Sequence, residues 1–179
     1  GKTTLFNVIT GHYKPSGGEV NFQGRDITGM GPCDILRRGV GRSFQITNTF
    51  SQMTTFENIR LAVMSKRGIR FKFFSKVDSM KEITEESEKV LAWVGLEEER
   101  DTLAANLSYG KQRLLEISLA MATDPELIML DEPAAGMSKD ETDMAIKQIR
   151  RLTEGKTVIV IEHDMDVVFS LADRISVLH

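Results

Sequence analysis

The chain opens Gly1-Lys2-Thr3-Thr4, the residues that end a phosphate-cradling loop of the pattern G-x-x-x-x-G-K-[ST]. In that loop backbone N–H groups surround phosphate oxygens, the lysine reaches the outer phosphates, and the hydroxyl after it ligates Mg²⁺. Lys2 and Thr3 are the candidates for those two roles. A second group, Leu127-Ile128-Met129-Leu130-Asp131-Glu132-Pro133, is an apolar run ending on two adjacent carboxylates, in the manner of a Walker B sequence. Asp131 is suited to hold Mg²⁺ directly or through water. Glu132, one residue on, is suited to accept a proton from an attacking water. A third group, Ile161-Glu162-His163-Asp164, follows the β-branched run T-V-I-V-I. A histidine at a buried strand's end can donate a hydrogen bond to a γ-phosphate and orient the water. Gln45, after Gly41-Arg42-Ser43-Phe44, offers an amide to Mg²⁺ or to the water. In Leu107-Ser108-Tyr109-Gly110-Lys111-Gln112, Ser108 is a good N-cap, and Gly110 lets a phosphate come close to the helix's first free N–H groups.

These groups act together only if strands and helices bring their ends to one edge. Residues 5–10 continue the opening as a helix with its positive end toward the phosphates, and Gly11 is its C-cap. Residues 19–23 alternate apolar and polar side chains between Gly18 and Gly24, a half-buried strand, with 26–28 as a short continuation. Residues 32–38 form a short helix with Pro at its first turn, and 41–44 a strand delivering Gln45. Thr54 and Glu57 have capping-box spacing, opening a helix over 55–64. The basic, aromatic stretch 66–76 reads as a helical insertion with ordinary packing in preference to a membrane or partner contact. Helices are expected over 82–94, stopped by Gly95, and over 109–123, with Leu114, Leu115, Ile117 and Met121 on the apolar side. Ser138 and Glu141 repeat the capping-box spacing at the head of a helix reaching about 153.

The run 157–161 is too apolar for a surface strand, 164–171 is helical, and 174–178 reads as strand. Apolar strands alternating with helices indicate an α/β fold with a mainly parallel sheet covered on both faces. Ligands of such sheets bind at the strands' carboxyl ends, where Gln45, Asp131, Glu132 and His163 fall. Residues 48–120, mainly helical, read as an inserted subdomain between the two parts of a core over 1–47 and 121–179. Ser108 then lies in the insertion, a second anion site away from Gly1-Lys2-Thr3-Thr4. Two half-sites in one chain point to head-to-tail dimerisation, with the nucleotide between one chain's opening loop and the other's Ser108 helix.

Bulk properties exclude several classes. A net charge of −3 gives no basic surface for general nucleic-acid binding. The single cysteine, Cys33, cannot form an internal disulfide, which suits a reducing compartment. No apolar run approaches the roughly 18–20 residues that span a bilayer. The chain starts inside a motif and stops after a strand-like run, so it reads as a piece of a longer protein at both ends. The strand and earlier glycines of the loop are expected before Gly1.

The five groups, in this order, resemble the ATP-binding subunit of ABC transporters along essentially the whole chain: end of Walker A, Q-loop, signature, Walker B, H-loop. The resemblance implies a P-loop ATPase fold, with ATP and Mg²⁺ as cofactors. It implies that Gly1, Lys2, Thr3 and Thr4 hold phosphates, that Gln45 is the Q-loop residue, and that Ser108 and Gly110 contact nucleotide in trans. It further implies that Asp131 and Thr3, with Gln45, serve the metal, that Glu132 is the general base, and that His163 is the switch histidine. Gly41-Arg42-Ser43-Phe44-Gln45-Ile46-Thr47-Asn48, Leu107-Ser108-Tyr109-Gly110, Asp131-Glu132-Pro133-Ala134-Ala135-Gly136-Met137-Ser138 and Glu162-His163-Asp164-Met165 resemble importers of branched-chain amino acids, or of urea and short amides. Tyr109 and Lys111 depart from the usual glycine and glutamine of the signature, and Ser138 stands where most members have an aspartate.

The partners so implied are a second ATP-binding subunit, alike or different, transmembrane permease subunits and, indirectly, a periplasmic substrate-binding protein. The implied location is the cytoplasmic face of the inner membrane, as a peripheral subunit. An alternative is a soluble ABC ATPase acting as a mechanical clamp. Such proteins often carry a second cassette or long coiled-coil insertions, and this chain supplies neither.

Overall fold

The computed structural model describes residues 1–43, 49–67 and 77–177. Its frame is a parallel sheet of β3 (Val40–Arg42), β4 (Leu127–Asp131) and β5 (Thr157–Ile161), in that order. Arg42 lies opposite Met129, and Asp131 opposite Ile161. All five residues of the central strand β4 are buried, which is why its sequence is apolar up to the last position. Leu127 and Met129 join Phe6, Ile35, Val40 and Ile161 in one cluster, while Ile128 and Leu130 join Leu115, Ile117 and Ile149 in another. The period of two along a strand therefore sends Asp131 to the Leu127 and Met129 face, the side of α1 (Lys2–Ile9).

Phe6 anchors α1 to that face at 1% exposure. The helix stops at Gly11, where φ is +75° and a Cβ would lie 2.2 Å from the Met30 carbonyl oxygen. Only glycine meets both conditions. The expected strand over 19–23 shortens to β1 (Asn21–Phe22), paired antiparallel with β2 (Arg25–Asp26). Gln23 and Gly24 both have positive φ, the backbone of a two-residue hairpin turn. α2 (Pro32–Arg37) begins on its proline and leads into β3.

Thr54 and Glu57 close a complete capping box on α3 (Thr55–Lys66), and Ser138 and Glu141 do the same for α6 (Lys139–Leu152). α3 lies against α4 (Val77–Val94) and α5 (Tyr109–Ala122), and α5 also touches β3, β4 and α6. One cluster runs from Phe56, Ile59 and Val63 through Leu91 and Leu115 into Ile128 and Leu152. α7 (Met165–Leu171) starts at Asp164, whose carboxylate accepts the Asp166 N–H.

Three further expectations change. α4 begins at Val77, five residues before the expected start at 82. β5 is an outer strand among the described residues, and Ile159 is 38% exposed rather than covered. With a neighbour on the β4 side alone, its other edge and alternate side chains face solvent. Residues 174–177 pair with no strand among the described residues, and without a ladder Ile175 and Val177 stay exposed. Gln45 and residues 68–76 lie outside the described residues. Among the described residues no helix is long and apolar enough to cross a membrane.

Gly11→Ala is expected to destabilise the protein by more than about 1 kcal/mol in urea unfolding. Gly17→Ala, where an added Cβ meets nothing within 4 Å, is expected to leave stability unchanged or slightly higher.

Candidate functional site

At the end of β4 the chain carries a carboxylate into the interior, and Asp131 is 1% exposed. Its Oδ2 accepts from Arg42 Nη2 at 3.1 Å, an ion pair between neighbouring strands with both side chains buried. The next residue, Glu132, has φ +48°, a left-handed conformation costing a non-glycine residue roughly 1–2 kcal/mol. The surroundings hold it there. Its N–H donates to the Ile161 carbonyl at 2.9 Å, and its carbonyl accepts the Ala135 N–H at 3.2 Å. The turn takes the Glu132 side chain out of the strand's alternation. His163 Nδ1 stands 3.7 Å from Glu132 Oε1. Asp131 ends β4, Glu132 follows it, and His163 follows the end of the neighbouring strand β5.

Two further side chains, Arg113 and Glu162, hold the main chain at these strand ends. Arg113, on the second turn of α5, donates from Nη2 to the carbonyls of Asp131 and Glu132, the latter at 3.3 Å. Its Nη1 donates to Glu116 Oε2 at 2.6 Å, with both side chains under a tenth exposed. Burial pushes the Glu116 carboxyl upward, against the pull of Arg113. Glu162, its side chain 1% exposed, accepts the Ala134 N–H at 3.0 Å and the His163 N–H at 3.2 Å. It fastens the turn after Glu132 to the end of β5. The available signal was charge inside otherwise apolar elements: Arg42 in a strand run, Arg113 and Glu116 on the packed side of α5.

The N-terminus of α5 sits beside that turn. Ser108 caps it, its Oγ accepting the Lys111 N–H at 3.4 Å. Gly136, with φ +78°, leaves room for the Tyr109 ring, and the space beside Gly110 is bounded by Glu141. Tyr109, which departs from the usual glycine, is therefore a contact of the 134–137 turn. Gly1, Lys2, Thr3 and Thr4 are exposed at the other helix start. Among the described residues α1 packs through Phe6 on the Leu127 and Met129 face of β4, and α5 through Leu115 and Ile117 on the Ile128 and Leu130 face.

The donor set suits Mg²⁺. Asp131 and the Thr3 hydroxyl are hard oxygen donors, and Mg²⁺ takes one or two carboxylates when phosphates supply other oxygens. Asp131 already lies against a cationic group, Arg42. Among the described residues no cluster of three or more His, Cys, Asp or Glu suits a metal held by protein alone. A metal here would be one shared with a phosphate ligand.

Known proteins resemble this chain in sequence and in fold. The sequence profile of the family described as "ABC transporter" matches residues 1–135. The high-affinity branched-chain amino acid transport ATP-binding protein LivG of Salmonella typhimurium is 40% identical over 188 aligned positions, covering 100% of this chain and 73% of that protein. An ATP-binding cassette of an ABC transporter, solved in its ADP conformation, superposes with a TM-score of 0.80 at 30% identity, over 97% of this chain and 70% of the other. A dimeric ATP-binding cassette in a post-hydrolysis state with ADP and Pi superposes with a TM-score of 0.75 at 25% identity, over 95% of this chain and 73% of the other.

Arg113→Met removes the partner of a buried carboxylate and is expected to cost about 3 kcal/mol in chemical denaturation. The loss should depend on pH. Without Arg113 the folded-state value of Glu116 rises further above its ordinary 4.5, so folding takes up a proton. The stability deficit is then smallest near and below 4.5 and grows as pH rises through the shifted value. A deficit independent of pH would count against the pairing.

Proposed function

The chain belongs to the ABC transporter family, and from that we propose that it powers an importer of branched-chain amino acids or of a related small amide or urea. It is an ATP-binding, ATP-hydrolysing subunit. The observation that carries the catalytic assignment is the cluster at the ends of β4 and β5. There Glu132, held in a left-handed turn, faces His163 at 3.7 Å.

In this reading Gly1, Lys2, Thr3 and Thr4 hold the phosphates at the positive end of α1. A bound Mg²⁺ would supply charge neutralisation to the phosphates. Asp131 and Thr3 present oxygens to it, and Gln45 adds its amide to the metal or to the water. Glu132 accepts the proton of the attacking water, and His163 donates a hydrogen bond that orients the transferred phosphoryl group or the water. One water can contact two groups as close as Glu132 and His163. The residues' contribution is positioning and charge stabilisation, which dominate phosphoryl transfer.

α1 and α5 pack on opposite faces of β4, and that placement supports a site completed by a second ATP-binding subunit, whose Ser108 helix would close on the nucleotide. We take 1–47 with 121–179 as the nucleotide-holding core and 48–120 as a helical lobe. The contact of α3 and α4 with α5 supports that division. The lobe and the Gln45 segment would pass closure to transmembrane permease subunits at the cytoplasmic face of the inner membrane. A periplasmic substrate-binding protein would deliver the cargo to those permeases.

Glu132→Gln is expected to keep Mg-ATP affinity, read by isothermal titration, and to lower turnover at least ~100-fold. Normal hydrolysis in that variant would remove Glu132 from its role. In light scattering the variant with Mg-ATP should double in mass relative to the nucleotide-free sample, and EDTA should reverse the change.

A further inference from the structure

Arg42 belongs to neither Asp131 nor α1, yet it touches both. Its Nη2 donates to Asp131 Oδ2 at 3.1 Å, while Nη1 donates to Asn7 Oδ1 at 2.7 Å and Thr10 Oγ1 at 3.2 Å. The Thr10 hydroxyl proton is directed to the Phe6 carbonyl at 2.7 Å, so the oxygen is oriented to accept from Arg42. The guanidinium carbon also lies 5.5 Å from the centroid of the Phe6 ring. Arg42 and Asp131 are 7% and 2% exposed. A buried carboxylate of this kind is held by charge and geometry together, because water is not there to do either.

The spacing along α1 gives the contact its meaning. Thr3, Asn7 and Thr10 are at i, i+4 and i+7, one stripe of the helix. The guanidinium grips the lower two members of the stripe whose top member is the hydroxyl assigned to Mg²⁺. Its other end holds the carboxylate assigned to the same ion. A carboxylate has two oxygens, and a guanidinium on Oδ2 leaves Oδ1 as the one to turn toward the metal.

We propose that Arg42 is a positioning residue for the metal: by bracing Asp131 against α1 it fixes the distance and orientation between the Asp131 carboxylate and the Thr3 hydroxyl. The inference rests on the reading of Asp131 and Thr3 as the metal's protein ligands. Arg42 would act through Asp131 and α1 and not on the substrate itself. The fork geometry matters as well as the charge, since a lysine ammonium is a single point that cannot bond α1 and Asp131 in two fixed directions.

The test separates metal from phosphate binding. The affinity of a fluorescent ATP analogue is measured with Mg²⁺ and with EDTA, for the wild-type protein, Arg42→Met and Arg42→Lys. The ratio of the two affinities is the metal-dependent part. Both variants are expected to lower that ratio by about tenfold or more, the usual effect of removing a partner that orients a metal ligand. Their affinity in EDTA, which reports Lys2 and the α1 N-terminus, should stay as in wild type. Arg42→Lys keeps the buried charge, so it carries the test if Arg42→Met does not fold, which circular dichroism will show. An unchanged ratio, an equal fall in both affinities, or a higher ratio (Arg42 competing with the metal) would each overturn the proposal. A wild-type protein without a metal-dependent affinity would instead overturn the assignment of Asp131 and Thr3.

Discussion

A carboxylate at the end of a fully buried strand is the constraint around which this structure is arranged. Asp131 is placed inside by the period of two along β4, and a charge there is costly unless paired and hydrogen-bonded. The pairing comes from Arg42 on the next strand, which is in turn braced by Asn7 and Thr10 of α1. The main chain around Asp131 is held from the opposite side by Arg113 of α5. Satisfying one buried acid therefore fixes two strands, the opening helix and the helix that carries Ser108. The hydrophobic clusters on the two faces of β4 give the sheet its stability. The two arginines, Arg42 from β3 and Arg113 from α5, fix the end of β4 around Asp131.

Glu132 shows how the same end stores strain. An ordinary β continuation would place its side chain on the α5 face, opposite Asp131. The left-handed φ re-aims it, and the cost is offset by hydrogen bonds on both of its peptide groups and by the carboxylate of Glu162 one residue pair away. Strain held by so many contacts is a feature of residues whose direction matters. His163 sits at the end of β5 in register with that turn, because Asp131 pairs with Ile161. The proximity of Glu132 and His163 thus follows from the strand register together with a single turned residue.

Much of this was legible in the sequence, for local reasons. The capping boxes at Thr54 and Glu57 and at Ser138 and Glu141 lie within four residues, so their spacing carries the geometry. The apolar run before Asp131 announced a strand buried on both faces. The pairing of Arg42 with Asp131 was not legible, because it joins residues 89 apart in the chain through strand register. Arg113 and Glu116 were hidden by the helical pattern, which marked their face as packed through Leu115 and Ile117 but gave no reason for charge to share it. The exposure of Ile159 depends on where the sheet ends, a property of the neighbours of β5 and not of its own residues.

α5 draws these strands of the structure together. Its N-terminus presents Ser108 and Gly110, and five residues on from Ser108, a rise of about 7.5 Å, Arg113 holds the carbonyls of Asp131 and Glu132. In between, Tyr109 rests on Gly136 of the turn after Glu132. A helix is stiff over that length, so a shift of its N-terminus moves Arg113 and Tyr109 with it. If Ser108 and Gly110 close on a nucleotide held by a second subunit, the closure reaches Glu132 of their own chain through both contacts. The residue that would feel it is the one already held in a strained conformation, where small displacements change the direction of the carboxylate most.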